Sequence, residues 1–321
     1  WIEEGNYFFK WSKYADKLLD LYDKNPDLIV PRHRMNEIKA FIERGLQDFS
    51  ISRLKSKMPW GVEVPGDEEH VMYVWFDALT NYINCLNWDK DSEEFKEFWP
   101  GIQVAGKDNL RQQTAMWQAM LMSAGLPTSK QVLIFGFINS DGRKMSKSIG
   151  NVVHPYDLVE KYGTDATRYY LLAGLKAFED SDYTREKFET RFQADLANGL
   201  GNLVSRVSNM LEKNEIETEL TAGGDQELIK KVGSELEKYS FDGALKVLWE
   251  KISEMDEFLS AKTPWKMKDV EDVKKVLLPV TQTILDIADL LQIFLPTTAE
   301  KILAQFSEKQ IKKEDPLFPR L

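Results

Sequence analysis

The densest chemistry in the chain lies in five consecutive residues, Lys144-Met145-Ser146-Lys147-Ser148. Two lysines and two serines on an exposed loop offer ammonium charge and hydroxyl donors to a polyphosphate. Cations closing over bridging and departing phosphate oxygens stabilise the charge that develops there. A solvated basic loop is the plain alternative for so short a run. A second group is Trp75-Phe76-Asp77-Ala78-Leu79-Thr80-Asn81-Tyr82, with Gln113 and Trp117 further on. Gln113 and Trp117 are four residues apart and share one helix face, so a polar side chain sits beside a large aromatic. Each aromatic taken singly reads as core; together with Gln113 they read as a pocket wall. A third group pairs Asn202 with Arg206, again four apart, and adds Pro264-Trp265 at a break between helices. Asn and Arg are directional donors, and a Trp at a helix break offers a stacking plane. A surface Asn, a solvated Arg and a buried Trp are the ordinary readings of the same residues.

The elements that position these groups follow from periodicity. Phe8, Phe9, Trp11, Tyr14, Leu18, Leu19 and Leu21 recur at helical spacing until Asn25-Pro26, and a second helix is expected from Met35 to Gly45. From Pro59 to Leu175 short apolar runs alternate with helical ones: strands over 71–75, 102–105 and 131–138, and a helix over 77–86. Another helix begins at Asp108 as its cap and stops at Gly125 and Pro127. Such alternation predicts α/β structure with a parallel sheet. Beyond Thr184 only helical patterns remain, over about 186–213, 225–239, 241–261, 269–292 and 296–306, which predicts a bundle and a domain boundary near 180.

Of the 321 residues 43% are hydrophobic and 29% charged, enough for real cores, and the net charge is −10. An acidic chain is poorly suited to sequence-blind binding of nucleic acid, although placed Arg, Asn and aromatic groups still read single strands. The single cysteine, Cys85, and the scattered His33, His70 and His154 exclude a disulfide framework and a cysteine-based zinc site, so no metal site is expected within the chain. The stretch from Val276 to Leu295 carries Asp286 and Asp289 and is amphipathic, hence a core-facing helix; no membrane association is expected. The opening Trp1-Ile2-Glu3-Glu4 lacks an initiator methionine and a signal pattern, and reads as a cut.

In this setting Lys144–Ser148 resembles one of the two signatures of the class I aminoacyl-tRNA synthetases. Gly106-Lys107-Asp108, the Trp75–Tyr82 run, Trp60-Gly61-Val62-Glu63-Val64-Pro65 and Tyr162-Gly163-Thr164-Asp165-Ala166-Thr167-Arg168-Tyr169-Tyr170 resemble the methionyl family, nearly end to end from Asn6 to Phe306. In the related leucyl, isoleucyl and valyl enzymes the Trp-Phe-Asp stretch continues with Ser-Gly. The resemblance implies the second half of a Rossmann-like catalytic domain followed by a helical anticodon-binding bundle. It divides the chain into the end of a connective insertion (1–58), the catalytic half with the stem-contact region (59–180) and the bundle (181–321). The other signature, of His-Ile-Gly-His type, is not in the chain and is expected upstream of Trp1, together with any zinc knuckle of the insertion.

The resemblance also implies roles. Lys147, with Lys144 in support, is the transition-state cation. Lys144, Ser146, Lys147, Glu63, Gly106, Asp108 and Ile138 take ATP with its Mg2+, the carboxylates at the ribose and Ile138 along the adenine. Trp75, Ala78, Leu79, Tyr82, Gln113 and Trp117 wall methionine, aromatic edges suiting a thioether. Asn202, Arg206, Pro264 and Trp265 read the CAU anticodon of tRNA(Met). The chain departs from the family pattern at Gln112-Gln113, where Phe-His is more usual, at Phe135, where His is common, and at Asn109, where an apolar residue is usual. The activity implied is that of a cytoplasmic methionine–tRNA ligase, with the chain alone inactive. Another class I synthetase of the same subgroup, or a non-catalytic tRNA-binding module, are the other readings.

Overall fold

The computed structural model describes residues 5–90 and 92–321; the opening Trp1–Glu4 lies outside them. The chain forms two compact units, Trp1–Gly136 and Phe137–Leu321.

In the first unit, Ile102–Gly106 and Gln131–Phe135 pair in parallel, joined by the helical crossover the pattern predicts. The strand Gln131–Phe135 is buried along Val132, Leu133 and Ile134, as a central parallel strand covered on both faces should be. Its other neighbour was not foreseen: Ile29–Val30, between the helices Ala15–Lys24 and Arg32–Glu43. Leu18, Tyr22, Ile38 and Ile42 share one core with Leu110, Val132 and Ile134, and the Tyr22 hydroxyl donates to the Thr114 carbonyl at 2.6 Å. Residues 15–46, within the segment 1–58 expected as the end of an insertion, therefore build part of the parallel sheet's own layer.

Two local expectations are corrected here. Asp67–Met72 is a strand, but it lies in a separate antiparallel sheet between Ser52–Leu54 and Glu63–Val64, and the chain turns helical at Val74. The aromatic run Phe8–Tyr14 is a short strand, Phe8–Phe9, followed by a 3-10 turn, with α-helix only from Ala15.

The second unit begins with Ile138–Ser140, flanked by Arg143–Lys144 antiparallel and Ser181–Tyr183 parallel. Helices follow: Pro155–Tyr162, Thr164–Tyr169, Arg185–Arg191 running on to Lys213, Gln226–Leu236, Phe241–Lys262, Val270–Leu291 and Pro296–Phe306. One apolar core runs from Leu158 and Tyr169 through Leu203, Leu248 and Leu285 to Phe318. Segment 155–175 is tied to the bundle by polar contacts too: Asp165 accepts from the Thr298 backbone N–H at 2.6 Å, and Arg168 donates to the Phe294 carbonyl at 2.7 Å. That shared core is why the compact-unit break falls after Gly136, ahead of the expected 180. No helix among the described residues is long and apolar enough to cross a membrane.

Candidate functional site

The lysine-serine loop hangs from a two-stranded hairpin. Asp141 and Gly142 both have positive φ, 51° and 72°, the geometry of a two-residue hairpin turn that suits Asp-Gly. Asp182 pins the turn by accepting from the Gly142 N–H at 2.6 Å. That N–H, assisted by Lys187, holds the Asp182 carboxyl below the usual carboxylate range. Beyond the hairpin, Asn151 ties the loop to itself, accepting from the Ser146 N–H at 2.9 Å and donating to the Lys144 carbonyl at 3.3 Å. The Ser146 and Ser148 hydroxyls lie 2.7 Å apart. Lys144 sits 4.4 Å over the Phe137 ring, a contact a ring's negative face offers a cation. Lys147 is exposed. The loop thus has a fixed frame and a free ammonium at its crest, and Ile138 lies exposed at the start of the same hairpin.

In the first unit, Tyr82, Gln113 and Trp117 converge. The Gln113 amide donates to the Tyr82 hydroxyl at 2.9 Å, and the Tyr82 and Trp117 rings are 6.1 Å apart. Trp117 is 1% exposed, packs edge-on to Trp99, and its indole N–H is buried with no partner. The helix carrying both residues is not regular: Gln112–Met116 forms a π turn, an insertion that recurs at functional sites. Leu79 is buried in the same cluster, whereas Trp75 is half-buried and Ala78 exposed on the short helix Val74–Ala78. A 260 Å³ cavity is lined by Phe9, Phe76, Ile83, Trp117 and Met120; of the six residues expected at methionine, Trp117 alone borders it.

The nucleotide group is spread wider. Gly106 ends the strand Ile102–Gly106, and a Cβ there would stand 3.0 Å from the Asp108 carboxylate, so glycine lets that carboxylate fold back over the strand end. Asp108 lies within a 3-10 turn, Lys107–Asn109, so it is not the helix cap expected. Glu63 stands on the antiparallel sheet, exposed and ion-paired to Lys55.

The third group assembles within the bundle. Arg206 lies 5.4 Å over the ring of Trp265, which is 50% exposed, while Pro264 beneath is buried. Thr263, at φ 47°, turns the chain sharply between the helix Phe241–Lys262 and this 3-10 turn. Asp256, which no motif signals, holds the guanidinium at 2.7 Å. Burial pushes the Asp256 carboxyl up, against the pull of Arg206. Asn202 is half-buried one turn before Arg206 on the helix Asn202–Lys213.

Sequence reasoning also missed the buried polar set Gln103, Gln118 and Ser129 behind Gln113. A glutamine inside a strand, Gln103, flanked by apolar residues was its one visible signal.

The chain as a whole is similar to known proteins. The family model for class I tRNA synthetases (M) matches residues 1–208. The methionine–tRNA ligase of Rhizobium meliloti is 42% identical over 321 residues, an alignment covering 94% of this chain and 61% of that protein. That of Brucella suis is 40% identical over 318 residues with the same shares. The Mycobacterium tuberculosis methionyl-tRNA synthetase in complex with methionyl-adenylate superposes with a TM-score of 0.91 at 35% identity, over 100% of this chain and 70% of that one. The chain spans about three fifths of the length of the curated relatives it matches. On this extent of match in sequence and structure, the chain belongs to the methionyl family of class I tRNA synthetases.

Proposed function

We propose that this chain supplies the second half of the nucleotide fold and the anticodon-reading bundle of a cytoplasmic methionine–tRNA ligase. In the first step a methionine carboxylate oxygen attacks the α-phosphorus of ATP, the bond to the bridging oxygen breaks, and pyrophosphate leaves. Lys147 and Lys144, with the Ser146 hydroxyl, bear on the departing phosphates; Mg2+ travels with the ATP polyphosphate. In the second step a ribose hydroxyl at the tRNA 3′ end attacks the adenylate carbonyl and AMP leaves. No covalent enzyme intermediate is needed, so positioning and charge stabilisation carry the rate. Trp75, Ala78, Leu79, Tyr82, Gln113 and Trp117 wall the methionine. Glu63, Gly106 and Asp108 serve the ribose and Ile138 the adenine, while Asn202, Arg206, Pro264 and Trp265 read CAU.

The observation that carries this reading is the convergence of Gln113, Tyr82 and Trp117: one oriented amide inside an aromatic wall, in a chain 35% identical to a structure holding methionyl-adenylate. A second observation supports an upstream partner half. Ile102 and Val104 stand 47% and 56% exposed on a parallel strand, a face that such sheets cover. Methionine-dependent ATP–pyrophosphate exchange by the full-length protein tests the proposal. Exchange driven by leucine, isoleucine or valine in place of methionine assigns another member of the subgroup. Absence of exchange alongside tight binding of anticodon RNA favours a tRNA-binding module, the reading the Arg206–Trp265 pair supports by itself.

A further inference from the structure

Behind Gln113 lies a closed set of hydrogen bonds among side chains that are all buried: Gln103, Gln118 and Ser129. Its direction can be worked out from one end. The Ser129 backbone N–H can only donate, and it meets the Gln118 side chain at 2.9 Å, so that atom is the amide oxygen. The Gln118 NH2 then points the other way, to the Ser129 hydroxyl and to the Gln113 carbonyl, each at 2.9 Å. With its oxygen already accepting, the Ser129 hydroxyl sends its proton to Gln103, at 2.6 Å, a distance typical of O–H···O and short for N–H···O. Gln103 must therefore present its NH2 to the Gln113 oxygen, at 3.3 Å, and Gln113 presents its NH2 to the Tyr82 hydroxyl at 2.9 Å. Tyr82 accepts there and keeps its own proton for the space in front of it.

We propose that Ser129, Gln118 and Gln103 are positioning residues that fix the Gln113 amide, and through it make the Tyr82 hydroxyl a donor toward the bound amino acid. This rests on the methionine–tRNA ligase reading. An amide is symmetric enough in shape to turn over, so an isolated Gln113 would present either end to Tyr82; the relay favours the one orientation in which the amide oxygen and nitrogen of Gln103, Gln113 and Gln118 each have a partner. A neutral histidine at this position would bring one ring N–H where the amide brings two, and would ask less of such a chain. The relay is thus the structural companion of glutamine at 113.

The test uses the full-length protein and methionine-dependent ATP–pyrophosphate exchange. Ser129→Ala removes the hydroxyl that hands direction from Gln118 to Gln103. It should raise the KM for methionine about tenfold, with kcat and the KM for ATP within about twofold, because one oriented polar contact is lost and the phosphate chemistry is untouched. Gln103→Glu gives a readout that loose packing would not. Protonated, the introduced carboxyl still donates to Gln113; ionised, it only accepts, and Gln113 must turn its NH2 away from Tyr82. The groups facing that position are the neutral Gln113 amide and Ser129 hydroxyl, with the Tyr82 phenol one step beyond. Burial therefore raises the new group's pKa toward neutrality, and its KM for methionine should climb between about pH 6 and 8.5 while that of the wild type stays flat. Folded variants with wild-type KM at every pH overturn the relay. A Gln103→Glu protein that fails to fold leaves Ser129→Ala to decide. A wild-type protein without methionine-dependent exchange overturns the functional reading beneath the proposal instead.

Discussion

Truncating Trp265 to alanine should separate RNA binding from folding. The ring is half exposed, so of roughly 200 Å² of side chain about 100 Å² is covered, and removing it costs at most about 2.5 kcal/mol of stability. The bundle core beneath, from Leu158 to Phe318, is continuous, and domains of this kind hold about 5–15 kcal/mol, so the variant should stay folded. The exposed face is what a base would stack on, and one base–aromatic stack contributes about 1–3 kcal/mol, or roughly 5- to 150-fold in affinity. Arg206, held at 2.7 Å by Asp256 and 5.4 Å over the same ring, is oriented before any RNA arrives. Trp265→Ala should therefore weaken binding of a CAU anticodon stem-loop by that factor, read by fluorescence anisotropy, with far-UV circular dichroism and melting confirming the fold. Arg206→Ala should weaken binding and also relax the preference over a scrambled loop, because the guanidinium is the directional group. Wild-type affinity in a folded Trp265→Ala variant, or equal binding of both loops by the unaltered chain, refutes the reasoning.

Three further outcomes are expected. Lys147 is exposed, and on the proposed reading its ammonium serves the departing phosphates, so in the full-length protein Lys147→Ala should lower the exchange rate by about 100- to 1,000-fold with little change in the KM for methionine; an unaltered rate removes Lys147 from the reaction. This chain by itself should show no methionine-dependent exchange above background, because it contains no His-Ile-Gly-His-type element; measurable exchange sinks the assignment of that step to two halves. The Asp182 carboxyl is held below its usual range chiefly by the Gly142 N–H, so its support of the hairpin turn is present above about pH 4 and lost as pH falls through the lowered folded value. Asp182→Asn should flatten that part of the acid sensitivity of hydrogen exchange at Gly142, and an identical acid profile in the variant speaks against the turn contact.

How much of this was legible depended on whether the cause was local. The glycine stop at Gly125 with φ of 71° and the helical spacing of the bundle are properties of neighbouring residues, and both are where the sequence puts them. Ile29–Val30 was not legible as a strand because two residues carry no period; it is a strand only because Gln131–Phe135 lies alongside. The same holds for residues 155–175, which were grouped with the α/β segment, since only the apolar core shows that they pack with the bundle.

The site divides along the same line. Arg206 and Trp265 are 59 residues apart and meet because Thr263 takes a left-handed turn that no motif announces. Gln113 and Trp117 were placed on one face by assuming a regular helix, but the π turn at Gln112–Met116 inserts an extra residue there. They nonetheless converge, because both are pinned to Tyr82, one by a hydrogen bond and one by ring packing. The glutamine at 113 then takes on a physical meaning. Gln113 is buried, so every polar atom it brings must be paired or cost about 1–3 kcal/mol. Gln103, Gln118 and Ser129 meet that demand in a chain of bonds that reaches Tyr82 with its direction intact. Gln113, a lone polar residue beside an aromatic in sequence, is in three dimensions one member of a compensated network, and its partners lie 10, 5 and 16 residues away where no spacing rule would seek them.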